Sequence, residues 1–112
     1  MSARFQQLDG EASLNSVLDR ARDELVILFN HDPWCPISRR AFTQMEQLDC
    51  DVLLVDVSSE RELTSEIQSR TGIRHESPQV IVLRDGNVAW SASHFGITTE
   101  AVRSATADGR DA

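Results

Sequence analysis

The sequence predicts an α/β domain with one mixed β-sheet flanked by helices. Three observations carry that expectation. Short, almost unbroken apolar runs at 25–30 (LVILFN) and 51–57 (DVLLVDV) read as strands buried on both faces, the usual condition of a parallel sheet. Segments with helical apolar spacing alternate with them. Near the end, QVIVL (79–83) and VAWSAS (88–93) flank Asp85-Gly86, the signature of a β-hairpin with a tight turn. Alternating elements closed by a hairpin and a helix require helices on both faces of the sheet.

In chain order, residues 11–22 place Leu14, Val17, Leu18 and Ala21 on one helical face ahead of the first buried run. The segment 36–48 repeats Ile37, Ala41, Met45 and Leu48, with Pro36 in the first turn, where its missing N–H has no intrahelical partner to lose. After the second buried run, Ser59 and Glu62 form a capping box ahead of Leu63 and Ile67, and Gly72 stops that helix. Thr98 or Thr99 opens a terminal helix containing Ala101, Val102 and Ala105. The expected order is α-β-α-β-α-β-β-α, a thioredoxin-like mixed sheet flanked by helices. One domain over 1–112 accounts for the whole chain, with a frayed tail at about 108–112.

Charge and hydropathy exclude several classes of partner. The chain carries 11 basic and 18 acidic side chains, a formal charge of −7, and has no basic run. That balance argues against nucleic acid and against anionic membranes, both of which need clustered positive charge. The start, MSARFQQLDG, lacks the apolar core of a signal peptide, and no apolar run is long enough to span a bilayer, so the expected location is the cytoplasm. Every basic residue is Arg, a bias that says little about function.

Two cysteines, Cys35 and Cys50, are too few for a disulfide framework and lack zinc-finger spacing. Cys35 lies in FNHDPWCPIS (29–38), where a buried strand gives way to a helix. Free N–H groups and the positive end of the helix dipole meet there, and both favour thiolate over thiol. Ser38, three residues later on the same helical face, is expected to aim its O–H or N–H at the sulfur. A dithiol protein would carry its second cysteine at that place. With Ser38 there instead, a mixed disulfide formed at Cys35 must be released by another molecule. Cys50, at the far end of the helix, is about 20 Å away by helical rise, beyond disulfide reach, and is expected to pack. Ser77-Pro78 precedes the strand QVIVL, and an X–Pro bond admits the cis form at about 0.5–1 kcal/mol. A cis bond is expected there.

WCPIS (34–38) together with TGIRHESPQVIVLRDGNVAWSASHFGIT (71–98) and the intervening VDVSSERELTSEIQSR resembles the monothiol bacilliredoxins of the thioredoxin superfamily, the YtxJ-like group. The resemblance runs from about residue 25 to the terminal helix. It implies a thiol–disulfide exchange protein that removes bacillithiol from S-thiolated proteins, with Cys35 as nucleophile, assisted by Ser38, and Pro78 as the cis proline beside it. It further implies a substrate surface at Trp34, Pro36, Ser77 and Pro78, with the backbone before the proline pairing with an extended substrate. No cofactor is expected to be bound; bacillithiol, or a similar low-molecular-weight thiol, is the co-substrate. Trp34 stands where many relatives carry Thr or Arg, which alters the surface around the sulfur.

The remaining candidates are weaker. His31, His75 and His94 lack metal-site spacing, so no metal is expected. His75 abuts the Ser77-Pro78 turn as a solvated loop residue or a substrate contact, and His94 is expected away from the pocket. Arg39 and Arg40 are placed to meet carboxylates on a small thiol or to stand solvated. A rival reading is a non-catalytic thioredoxin-like module whose Pro78 edge grips a peptide. Iron–sulfur ligation of the monothiol glutaredoxin type ranks last, because the chain has no Lys ahead of the motif.

Overall fold

The computed structural model of the chain describes residues 3–107, so the tail expected to fray lies outside the described residues. The elements run β1 (Arg4–Gln7), α1 (Gly10–Arg20), β2 (Val26–His31), α2 (Pro36–Glu46), β3 (Asp51–Asp56), α3 (Arg61–Thr71), β4 (Gln79–Arg84), β5 (Asn87–Ser93) and α4 (Thr99–Thr106), with a 3-10 turn at His94–Gly96. One five-stranded sheet has the order β1-β3-β2-β4-β5. β1, β3 and β2 are parallel, and β4 and β5 are antiparallel additions on the other side of β2. This is the mixed, helix-flanked sheet that the sequence predicts, with one strand more.

Strand alternation divides the core into two layers. Along β2, Val26 and Leu28 face Leu14 and Val17 of α1 and Leu63 and Ile67 of α3. Ile27 and Phe29 face the opposite way, toward Ala41 and Met45 of α2 and Val102 of α4. Every residue of β2 is buried, which follows from its central place and from helices on both sides. The hairpin turns at Asp85 and Gly86, whose φ values of 55° and 76° are those a two-residue primed turn needs.

The differences from expectation have local causes. β1 was not expected because only Phe5 in its RFQQ run is apolar; it forms as an edge strand on β3, and Phe5 stacks on Phe42 of α2 with ring centroids 4.5 Å apart. The capping box at Ser59 and Glu62 is absent: Glu60 is the N-cap of α3, without a side-chain cap bond, and the Ser59 hydroxyl turns back to the Asp56 carbonyl. α2 ends at Glu46 rather than 48, and Leu48 still packs in the core. Gly72 does close α3 in the left-handed conformation, and Thr98 caps α4 by accepting from the Ala101 N–H.

Phe29 is fully buried against the α2 layer, whereas Phe95 is 62% exposed. Phe29→Ala is expected to cost about 3–5 kcal/mol. Phe95→Ala is expected to cost less than about 1 kcal/mol. Urea midpoints of the two variants check the pair.

Candidate functional site

The site forms where β2 runs out. His31 is the last residue of the strand, and only four residues separate it from α2, which Pro36 opens with its ring at the first helical position. Those four residues are tightly tied. The Asp32 carboxylate accepts from the Trp34 N–H at 3.0 Å, and the Asp32 carbonyl accepts from the Cys35 N–H at 3.1 Å. Cys35 is the N-cap of α2, with extended backbone and a half-buried side chain, and its carbonyl accepts from the Arg39 N–H. Trp34 beside it is 81% exposed.

Ser38 does not sit as expected. It is fully buried, and its hydroxyl turns inward, away from hydrogen bonding with the sulfur. The Ser38 oxygen accepts from the Asp32 N–H at 2.9 Å and lies 2.7 Å from Nδ1 of His31. These are its two hydrogen bonds among the described residues. The physical reason lies in strand alternation: His31 shares a sheet face with Phe29, and that face is the one α2 covers. The imidazole therefore sits between the Phe29 and Phe42 rings, with centroids 5.2 and 5.0 Å away, directly under the first turn of α2.

The segment before β4 lies beside the end of β2, where Gln79 pairs with Asn30. The Ser77-Pro78 peptide is cis, as expected from the sequence. A buried side-chain pair holds this segment to the strands: Asn30 Nδ2 donates to Gln79 Oε1 at 3.0 Å, and Gln79 Nε2 donates to the Arg74 carbonyl at 2.8 Å. Asn30 Oδ1, Ser77 Oγ and His75 Nδ1 are buried without a partner among the described residues. Such atoms are left for water or a bound substrate to satisfy.

His94 departs from its expected place. Its N–H donates to the Pro78 carbonyl at 3.0 Å, so the 3-10 turn braces the proline segment. No sequence signal marks this, because the bond uses backbone of a residue with φ of 53°. Phe95 of the same turn lies under the Arg40 guanidinium, 5.3 Å from the ring centroid. Arg39 is exposed. Among the α-helices of the described residues, α2 alone has no acidic residue in its first turn, although the chain as a whole is acidic. Cys50 lies beyond the other end of α2, packed against the core and half-buried. Among the described residues, no three His, Cys, Asp or Glu side chains come together as a metal-ligand set, and no helix is long and apolar enough to cross a membrane.

Residues 6–102 match the family described as monothiol bacilliredoxin BrxC. The chain belongs to that family. Its fold is shared with a solved protein described by its thioredoxin fold, at 27% identity and a TM-score of 0.83, covering 90% of this chain and 92% of that one. It is also shared with a Malassezia sympodialis thioredoxin (14% identity, TM-score 0.71, covering 95% and 90%) and a Fasciola hepatica thioredoxin (17%, 0.69, covering 88% and 93%). These two are similar in fold alone. Membership in the bacilliredoxin family with a thioredoxin-like fold makes the chain a thiol oxidoreductase, and the unreactive peptide-binding module finds no support in it.

Burial shifts three groups in this bacilliredoxin. Burial pushes the Cys50 thiol up, with the Asp51 and Asp49 carboxylates adding to the effect. Cys35, which lies in a first turn free of carboxylates, is therefore expected to be carbamidomethylated by iodoacetamide at neutral pH in the native protein, and Cys50 only after denaturation. Peptide mapping of the two sites checks this.

Burial also holds His31 below the ordinary imidazole range, against the pull of Asp56, Asp32 and Ser38, and it holds His75 there against Glu76. The unfolded chain then binds protons at about pH 6.5 that the folded chain still refuses. The stabilisation is full above that pH and is lost as the pH falls through it toward the folded values. The thermal midpoint is expected to fall between about pH 7.5 and about pH 5.5, with a smaller fall in His31→Asn.

Proposed function

We propose that this bacilliredoxin removes bacillithiol, or a similar low-molecular-weight thiol, from S-thiolated proteins by a monothiol mechanism through Cys35. The observation that carries the reading is a lone sulfur at the N-cap of α2 with a hydroxyl, Ser38, at the position one turn on. The first turn of a helix leaves N–H groups without intrahelical partners, and its dipole favours negative charge there. Sulfur carries such charge both as nucleophile and as leaving group.

The exchange balances in two steps. The Cys35 thiolate attacks the bacillithiol sulfur of the mixed disulfide; a Cys35–bacillithiol bond forms, the protein–bacillithiol bond breaks, and the protein sulfur leaves as thiolate and takes a proton. A second bacillithiol thiolate then attacks the Cys35-bound bacillithiol sulfur, releasing Cys35 thiolate and bacillithiol disulfide. The reductant is the second small thiol. Ser38 cannot act as internal resolving group, since an alcohol does not undertake disulfide exchange under these conditions.

The surface around the sulfur supports a protein substrate. Exposed Trp34 offers an apolar contact, Pro36 stands exposed beside the sulfur, and the backbone of the Ser77-Pro78 segment is read as the edge on which an extended substrate pairs. The chain works with S-thiolated proteins and a small thiol as partners, needs no bound cofactor, and acts in the cytoplasm.

Intact-mass spectrometry tests the reading. Incubation with a bacillithiol-modified protein is expected to free that protein and to place one bacillithiol on Cys35; Cys35→Ser is expected to abolish both. Transfer from glutathione-modified but not bacillithiol-modified protein would overturn the choice of thiol. Ser38→Cys is expected to convert the site to a dithiol, losing about 2 mass units under mild oxidant, because residues three apart in the first turn share a face.

A further inference from the structure

We infer that Arg39, Arg40 and Phe95 form a docking surface that selects, among S-thiolated proteins, those carrying acidic side chains and an apolar side chain close to the modified cysteine. The inference deepens the proposed activity and rests on Cys35 being the sulfur that meets the substrate. Two observations carry it: a pair of cations that an acidic chain leaves unmatched, and an aromatic ring held out in solvent beside one of them.

With 18 acidic against 11 basic side chains, an arginine of this chain ordinarily has a carboxylate at hand. Arg4, Arg20, Arg22 and Arg70 each meet one within 3.9 Å. Arg39 and Arg40 are exposed, and among the described residues neither side chain has an ion-pair or hydrogen-bond partner. The first turn of α2 supplies no carboxylate to them. Arg40 instead lies over the Phe95 ring, its Cζ 5.3 Å from the centroid. That contact steadies the guanidinium and occupies none of its N–H donors, which stay free to grip a carboxylate in bidentate fashion.

Phe95 and Trp34 are the large apolar side chains exposed among the described residues. Phe95 stands on a braced turn: the His94 N–H donates to the Pro78 carbonyl, the Ile97 N–H donates to the His94 carbonyl, and Ile97 is fully buried. His94 has φ of 53°, a conformation uncommon for a residue with a side chain and kept only where the surroundings fix it. A ring on a fixed turn has little backbone freedom left to lose on docking. Helix α2 connects this surface to the sulfur. The Arg39 N–H donates to the Cys35 carbonyl at 2.9 Å, so Arg39 stands one turn after the cysteine, and Arg40 shares a helix face with Pro36, the residue next to it. One turn is about 5.4 Å. Even a transient interface of about 1,000 Å² gives each partner a patch about 25 Å across, so a protein whose sulfur reaches Cys35 has reach enough to cover both arginines and the ring. The exposed ring favours a protein over a small polar thiol as the occupant.

The test uses two cysteine peptides with the same apolar flank, one bearing Glu and the other Lys, each activated as a 2-pyridyl disulfide. The Cys35 thiolate attacks the peptide sulfur, the Cys35–peptide bond forms, the bond to the pyridyl sulfur breaks, and that sulfur leaves, takes a proton and is read as 2-thiopyridone. At about 0.1 M salt, charges more than about 10 Å away are screened, so the local cations act rather than the net charge of the chain. The Glu peptide is expected to react about tenfold faster than the Lys peptide, and the ratio is expected to shrink toward one as salt is raised. Equal rates, or a faster Lys peptide, would overturn the inference, since a net charge of −7 acting alone favours Lys. The double variant Arg39→Gln, Arg40→Gln is expected to abolish the Glu preference, and a preference that survives would also overturn it. Phe95→Ala, whose exposed side chain the fold can spare, is expected to slow both peptides several-fold; unchanged rates would remove the ring from the surface. A double variant with an unchanged peptide ratio but slower attack of bacillithiol on the Cys35 mixed disulfide would assign the arginines to the small thiol, and the docking surface would fall. Peptide selection without dethiolation would sink the proposed activity and leave the surface standing, and dethiolation without selection would do the reverse.

Discussion

The central strand cannot end in solvent, and the rest of the site is a consequence. β2 is covered on both faces, so Asn30 and His31 are buried along with the apolar residues before them. Buried polar groups need partners, and the two residues find theirs on opposite sides of the sheet. Asn30 reaches Gln79 and thereby ties the proline segment to the strands; His31 reaches Ser38 and thereby ties the start of α2. Two polar residues at the end of one strand thus anchor both the proline segment and the start of α2, which Cys35 caps. Replacing either with an apolar residue would relieve its own burial and strand its partner.

This explains which parts of the site were legible in the sequence. Cys35 was readable because a cysteine between Trp and Pro at a strand-to-helix switch is chemically conspicuous, and Gly72, Asp85-Gly86 and Thr98 announced their turns and caps by residue type. The fold class followed from two apolar runs and a hairpin. The inward turn of Ser38 was not readable, because spacing places a side chain on a helical face but does not say which neighbour competes for its hydrogen bonds. Extending the alternation of β2 by one residue would have put His31 on the Phe29 face, under α2. The apolar run itself stops at Phe29, so hydropathy gives no signal that the strand continues through Asn30 to His31.

β1 carries little sequence signal for a related reason. Period and hydrophobicity detect strands that bury something, and this one buries little beyond part of Phe5. Its stability comes from the neighbour: β3 supplies a parallel ladder, Asp51 meets Arg4 at 2.6 Å on the surface, and the Phe5 ring completes a chain of rings through Phe42 to His31 and Phe29. The surface ion pair adds little by itself, since exposed pairs are worth about 0–1 kcal/mol. The ring stack does more, because it fixes Phe42, which in turn forms one side of the His31 cage.

The substitution that makes the site monothiol therefore changes more than the number of sulfurs. A cysteine at 38 would offer a weak S–H donor and a weak acceptor to two partners, a backbone N–H and an imidazole, that a hydroxyl satisfies at 2.9 and 2.7 Å. Dithiol chemistry at this position would thus come with a less firmly held loop, whereas the hydroxyl holds Asp32, and through it Trp34 and Cys35, in one arrangement before any substrate arrives. A pre-set loop favours the in-line approach that disulfide exchange demands and reduces the ordering left for the encounter. In that sense the absent second sulfur and the fixed first one are two results of the same oxygen atom.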